Sequence, residues 1–266
     1  MEKSRKFIFK AYISLYGERM KVVISEPEVL ITSVETAAEI IDEGIFKFGK
    51  DGISLTAADR AMVAVIDLLI SKDSFEEYDV KEEKEVGLNM TNFLSLLKRA
   101  RGANKIGLEL SENKLILTIF NGTKRRFTVP LLQITREEIP PIEQLEFKAN
   151  VTLKPDILED AVMDASVITD AVTFYATKDE FKISAEGDVS QTELELRPGE
   201  EGLIDLQVKE DSKAKYPLDY LEKILKAAKI SDEVSLKFAQ DYPMRIDFKY
   251  EGKARISMVI APRVSE

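Results

Sequence analysis

The sequence predicts an α+β protein made of two tandem domains of one design. Three observations carry that expectation. The first is a repeat. Asp51, Met90, Leu96, Leu97, Lys98, Ala100, Arg101, Ile106, Leu108 and Leu110 each meet a similar residue 128 positions later. Those partners are Asp179, Leu218, Ile224, Leu225, Lys226, Ala228, Lys229, Val234, Leu236 and Phe238. With a slip of one residue, Leu30, Val34, Ala38 and Ile41 likewise meet Ile157, Ala161, Ala165 and Ile168. What recurs is an apolar pattern with two basic positions, as when one supersecondary unit is built twice. The second observation is that many short strand-like segments accompany only two helix-like segments per half, which describes antiparallel sheets with helices set to one side. The third is length, since 266 residues hold two domains of ordinary size.

The elements follow in order. Residues 1–19 have no counterpart in the second half and stand as an extension outside the repeat. The first domain spans 20–132, a connector 133–146 and the second domain 147–266. Lys21 to Ile24 reads as a strand. Pro27 suits the first turn of a helix running to about Glu43, because the donor it lacks has no partner there anyway. Leu30, Val34, Ala37, Ala38 and Ile41 give that helix a 3.6-period stripe. Ile45 to Phe48 and Ile53 to Ala57 flank Gly49-Lys50-Asp51-Gly52, a hairpin turn. Val63 to Ile70 is an apolar strand, and Met90 to Arg101 a second helix ending near Gly102. Strands follow at Ile106–Leu110, Leu115–Phe120 and Arg125–Val129. Gln133 to Glu146 holds Pro140-Pro141 and little periodicity, as an extended connector would. The second half repeats the order, with helices at Pro155–Ile168 and Leu218–Lys229. Leu196 to Lys213, rich in Glu, Asp and Gly, reads as a surface loop.

Composition removes whole classes of chemistry. There is no cysteine, so there are no disulfides or thiolate metal sites, and no histidine, the commonest general base. Triads and zinc hydrolases are thereby excluded, and no cofactor is called for. The stretch Phe7-Ile8-Phe9 is interrupted by Lys10 and lacks a cleavage site, and nothing is long and apolar enough for a membrane helix. The chain is expected to be cytoplasmic. Gly44-x-x-x-x-Gly49-Lys50 has P-loop spacing, but Asp51 stands where Ser or Thr must reach Mg²⁺, and the intervening residues alternate as a strand does. Pairs such as Asp42/Glu43, Glu76/Glu77 and Glu137/Glu138 have the composition of acid–base or Mg²⁺ sites, yet their adjacency and charged flanks describe a solvated surface better.

The basic residues say more. Net charge is −10, which argues against a polyanionic partner on average, but local fields decide such contacts. Lys98, Arg99, Arg101 and Lys105 crowd the end of one helix, and Lys223, Lys226 and Lys229 occupy its repeat. Each set alone reads as a solubilising face. The same feature twice in an acidic protein points to phosphate contact, and the lack of interleaved aromatics points away from base stacking.

Together these pieces resemble the sliding clamp called proliferating cell nuclear antigen, in its archaeal form. The residues that carry the resemblance are Ile41-Asp42-Glu43, Asp51-Gly52-Ile53-Ser54-Leu55, Ala58-Asp59-Arg60, Phe75-x-x-Tyr78, Leu96-Leu97-Lys98, Val129-Pro130-Leu131, Ile139-Pro140 and Ile260-Ala261-Pro262-Arg263-Val264. They extend from Met20 to Val264. The resemblance implies a three-subunit ring of the DNA clamp fold, with sheets outside and helices lining a hole that passes duplex DNA. Such a clamp is a processivity factor and not an enzyme. It is placed by a clamp loader, and it tethers DNA polymerase, flap endonuclease and DNA ligase through short peptide motifs.

Carried to this chain, DNA-facing positions are Lys98, Arg99, Arg101, Lys154, Lys223, Lys226 and Lys229. The first helix departs from that pattern, with no lysine or arginine between Pro27 and Gly44. A partner-peptide pocket would take Met62, Val63, Val65, Ile139, Pro140, Pro243, Met244, Val259, Ala261 and Pro262. Ring closure would pair Leu115–Gly122 of one subunit with Asp188–Leu196 of the next, placing Leu115, Leu117, Ile119, Val189, Thr192 and Leu194 at the interface, in a homotrimer or in a heterotrimer of paralogues. A checkpoint-type clamp and a carboxylate/Mg²⁺ enzyme are the alternatives.

Overall fold

The computed structural model describes residues 20–136 and 138–263. The expectation for residues 1–19 therefore lies outside the described residues, as does that for Val264.

Each half builds one five-stranded and one four-stranded antiparallel sheet. In the first half, β1 (Lys21–Ile24), β5 (Phe75–Asp79), β7 (Lys105–Ser111), β8 (Lys114–Asn121) and β9 (Thr123–Pro130) run in the order β5-β1-β7-β8-β9. Strands β2 (Glu43–Gly49), β3 (Gly52–Ala58), β4 (Ala64–Ser71) and β6 (Lys84–Asn89) run β4-β3-β2-β6. The second half repeats both orders. There β14 (Leu203–Val208), β10 (Ala149–Leu153), β16 (Glu233–Phe238), β17 (Met244–Tyr250) and β18 (Ala254–Ile260) form the larger group. The smaller holds β13 (Gln191–Leu196), β12 (Phe181–Glu186), β11 (Ala171–Ala176) and β15 (Ser212–Pro217). Antiparallel pairing of β18 with β4 fuses the larger sheet of the second half to the smaller sheet of the first, giving nine continuous strands.

Helices α1 (Pro27–Ala38), α2 (Met90–Leu97), α3 (Pro155–Ser166) and α4 (Leu218–Ile224) pack beside the sheets over one continuous apolar core. Pro27 and Pro155 both open their helices, 128 positions apart. The repeat is therefore in step through its first helix, and the one-residue slip read from the sequence is corrected. Helix α1 also ends at Ala38, well before Glu43, because a turn there buries both Ile40 and Ile41. The Asn89 side chain caps α2 by accepting the Asn92 N–H at 2.9 Å. The second helix of each half closes in a 3₁₀ turn, Lys98–Ala100 and Leu225–Ile230. The segment read as a surface loop contains β14, which pairs with β10 and buries Leu203. As an edge strand it shows Asp205 to solvent, and that polarity hid it in the sequence.

Two glycines are dictated by close approach. A Cβ on Gly52, at φ +139°, would lie 2.0 Å from the Ile70 carbonyl oxygen. A Cβ on Gly87 would lie 2.3 Å from that of Leu132, whose own N–H donates to the Gly87 carbonyl as the chain enters the connector.

A polar ladder crosses the joint between the halves. Asp247 on β17 accepts from Lys237, Arg245 and the Ser257 hydroxyl at 2.6–2.8 Å. Asp67 on β4 takes Arg255 at 2.9 Å and Thr56 at 2.9 Å, with Arg245 at 3.6 Å. Burial would raise the pKa of Asp247, but the hydrogen bonds from Lys237, Ser257 and Arg245 outweigh it and hold the carboxyl below its usual range.

Candidate nucleic-acid and partner interfaces

The helical face brings the repeated basic residues together but does not leave them free. Helix α1 packs against both α2 and the 3₁₀ segment Leu225–Ile230 of the other half. From it, Glu35 reaches Lys98 at 2.9 Å and Arg101 at 2.5 Å, with its own side chain only 6% accessible. Glu28 stands 3.9 Å from Arg101, and Glu39 pairs with Lys226 at 3.1 Å across the joint. Burial works to raise the Glu35 pKa, but the Lys98 hydrogen bond and the charges of Arg101, Lys98 and Lys229 hold it below the usual carboxylate range.

Elsewhere on the face, Lys223 sits 4.5 Å over the Tyr220 ring and 3.9 Å from Asp219. Lys154 pairs with Glu201 at 3.0 Å. Arg99 and Lys229 are exposed and make no ion pair with another described residue. The residues that sequence reasoning missed are thus Glu28, Glu35 and Glu39. Their signal was present, as carboxylates in a helix with no lysine or arginine.

The connector crosses the nine-stranded sheet at the joint. Its Ile142 packs on Val65 and Val259, with Ala58, Ile139 and Leu145 around them. Val65 and Val259 are therefore floor beneath the connector. Met62 (49% exposed) and Pro140 are exposed, and Val63, Ile139, Pro243, Ala261 and Pro262 are half-buried. Met244 does not join them. Its side chain faces the main core beside Ile260 and is fully buried, because alternate residues of β17 point to opposite faces. That assignment is corrected.

Met62 owes its position to Asp59, whose carboxylate accepts the N–H groups of Ala61, Val63 and Ala64 and the Tyr220 hydroxyl at 2.7–3.1 Å. This holds the turn that carries Met62 at φ +56°, a conformation rare for side-chain-bearing residues. The Asp59 carboxyl is lowered in pKa by those donors against its burial, and Tyr220 is pushed up to about 12 by burial and by Asp59. Beside the patch opens a cleft of about 660 Å³ between the connector and β2–β3, lined by Ala58, Arg60, Ile134, Arg136 and Ile139 among others. The connector's lack of periodicity gave no sign of it.

The strand edges differ from expectation on one side. β8 pairs with β7 and β9 at once, and Leu115, Leu117 and Ile119 are fully buried. They cannot pair with another chain, because both rows of backbone groups are already used. The sheet ends instead at β5 and at β9, and β9 carries Lys124, Arg125 and Arg126. At the other side β13 is an edge of its sheet, with Thr192 and Leu194 half-buried and Val189 on its approach 98% exposed. Among the described residues, no group of three or more carboxylates is placed to hold a metal ion.

Comparison with known families accounts for nearly all of the described chain. Residues 20–136 match the proliferating cell nuclear antigen N-terminal domain, and 141–263 match its C-terminal domain. The chain belongs to the proliferating cell nuclear antigen family. Its relatives include a DNA polymerase sliding clamp of Pyrococcus furiosus, 36% identical over 88% of this chain and 94% of its own length. DNA polymerase sliding clamp 1 of Thermococcus kodakarensis is 34% identical over 92% and 99%. Among solved structures, proliferating cell nuclear antigen from Thermococcus kodakaraensis superposes with a TM-score of 0.84 at 28% identity, over 92% of this chain and 100% of that one. A complex of two such proteins from Sulfolobus tokodaii, PCNA2 and PCNA3, gives 0.84 at 28% identity, over 92% and 99%. The clamp fold, with its tandem domains and outer sheets, is thereby established for this family member.

Proposed function

We propose that this chain is a subunit of a DNA sliding clamp, a ring that surrounds duplex DNA and tethers replication and repair enzymes to it. The observation that carries the reading is the joint between the halves. One copy of the repeated unit is joined to the next by β18 on β4, and the equivalent strands β9 and β13 are left as outer edges. Applying the same step again continues the sheet and curves it towards closure, which makes a ring where the rotation closes. Three chains supply the six units that the family resemblance implies.

The helical face then lines the hole. Its cations are partly neutralised by Glu28, Glu35 and Glu39, so phosphate contact is weak and free of sequence preference, as sliding requires. The exposed Met62 and the cleft under the connector would seat a short peptide with apolar anchors, methionine suiting a surface that accepts several sequences. The protein would contribute effective concentration and no chemistry of its own.

The test is topological. The protein is placed on nicked circular DNA by its clamp loader, and the DNA is then cut once. Retention on the circle and loss from the linear form is the expected result. Equal retention on both forms refutes encirclement.

A further inference from the structure

Resting on the clamp reading, we infer that Tyr220 is a positioning residue that ties the partner-peptide patch to the helical face, so that a peptide on the patch and a phosphate on Lys223 weaken one another. The side chain stands between the two surfaces. Its hydroxyl reaches from α4, in the second half, and donates to the Asp59 carboxylate of the first half at 2.7 Å. Its ring carries the Lys223 ammonium 4.5 Å from the centroid. Lys223 is one of the cations that would meet DNA, and Asp59 holds the turn that presents Met62.

On the patch side, Asp59 is 7% exposed, and its other donors are the N–H groups of Ala61, Val63 and Ala64, close along the chain. Among the described residues, the Tyr220 hydroxyl is therefore the donor that fixes this carboxylate relative to the second half. Met62 needs that support, because at φ +56° it holds a sparsely populated conformation that persists only while its surroundings impose it. The turn also meets the tail, where the Ala261 N–H donates to the Val63 carbonyl at 2.9 Å. Losing the Tyr220 bond frees the turn to shift against Ala261 and so alters the patch. With its pKa pushed up to about 12, the phenol stays a neutral donor at ordinary pH.

On the helical side, a cation over the ring face draws electron density from the phenol and makes its O–H a stronger donor. Asp219 lies 3.9 Å from the same ammonium, an exposed and distant pair that does not hold it alone. Lys223 drawn towards a phosphate gives up its place on the ring. The hydrogen bond to Asp59 then weakens and the Met62 turn loosens. The reverse follows from linkage, because a peptide that favours the ordered turn keeps Lys223 on the ring and out of phosphate contact. A clamp holding a partner would then grip its DNA less and slide more freely.

The test measures two bindings of the full chain by fluorescence anisotropy, with thermal unfolding as the check that each variant folds. One probe is a labelled peptide carrying the clamp-docking motif of a DNA polymerase. The other is a labelled duplex at several salt concentrations, with and without saturating unlabelled peptide. In wild type the peptide should lower the salt slope of duplex binding by up to about 0.9 for each Lys223 withdrawn. Lys223→Ala should lower the slope itself and abolish the peptide's effect on it. Tyr220→Phe keeps the ring beneath Lys223 and removes only the hydroxyl. It should weaken the peptide about fivefold and likewise abolish its effect on the slope. In protein labelled at its methionine methyl groups, Tyr220→Phe should move or broaden the Met62 signal and leave those of the buried Met90 and Met244 in place. A wild-type slope indifferent to bound peptide overturns the inference, as does a folded Tyr220→Phe protein that binds peptide as wild type does; both leave the clamp reading intact. A wild type that binds neither probe sinks both.

Discussion

Replacing Glu35 with glutamine should tighten DNA binding, although it removes a well-made ion-pair centre. The carboxylate holds Lys98 at 2.9 Å and Arg101 at 2.5 Å from a nearly inaccessible position, while those two cations are 45% and 43% exposed. Losing the acid leaves both cations in contact with water, so the stability cost stays near about 1 kcal/mol. The gain is two unpaired charges on the face that would meet phosphate. Each phosphate contact steepens the salt dependence of log K by about 0.9, so two contacts per subunit add about 1.8 to the slope. Between about 50 and 200 mM salt that added slope corresponds to an extra loss of about tenfold in affinity for each subunit in contact. Fluorescence anisotropy of a labelled duplex, titrated at several salt concentrations, reads both quantities. An unchanged slope, or weaker binding at every salt concentration, would refute the proposition that Glu35 withholds these cations from DNA.

Asp247→Ala should cost about 3 kcal/mol and lower Tm by about 10 °C, since it strands Lys237 and Arg245 beside a buried site. The pH dependence has a fixed sign. A carboxyl held below its unfolded value near about 3.9 adds stability above that pH and loses it as pH falls through the folded value. The Asp247 contribution to the denaturant midpoint should therefore be constant from about pH 7 to about 5 and fall away below about 4, a loss present in wild type and absent in Asp247→Asn. Replacing Met62 and Ile139 by aspartate should abolish stimulation of a tethered polymerase while leaving assembly unchanged, read by primer extension and light scattering; undiminished stimulation would move the docking surface elsewhere.

The sequence made the architecture legible because period-two and period-3.6 patterns survive duplication. Lys98 and Lys226, and Leu108 and Leu236, mark equivalent places without structural help, whereas Pro27 and Pro155 came into step only in the structure. It misled where an element's polarity reflects its position in a sheet. β14 resembles a loop because an edge strand shows half its residues to water, and β8 resembles an interface because fully buried strands and associating strands are alike in apolar content. Only the pairing order separates them, and that is a long-range property. The basic residues were found by type and spacing. Their neutralisation was hidden, because Glu35 and Arg101 meet through packing of α1 on α2 and are far apart in the chain.

The unbroken nine-stranded sheet decides where such a ring can part. Between the halves of one chain, seven residue pairs of β18 and β4 are zipped together and braced by the aspartate ladder, so bending there would break backbone pairing and the Arg255–Asp67 ion pair at once. In the proposed ring, admission of DNA would then occur where chains abut, making each molecule a stiff arc and every seam between molecules a door.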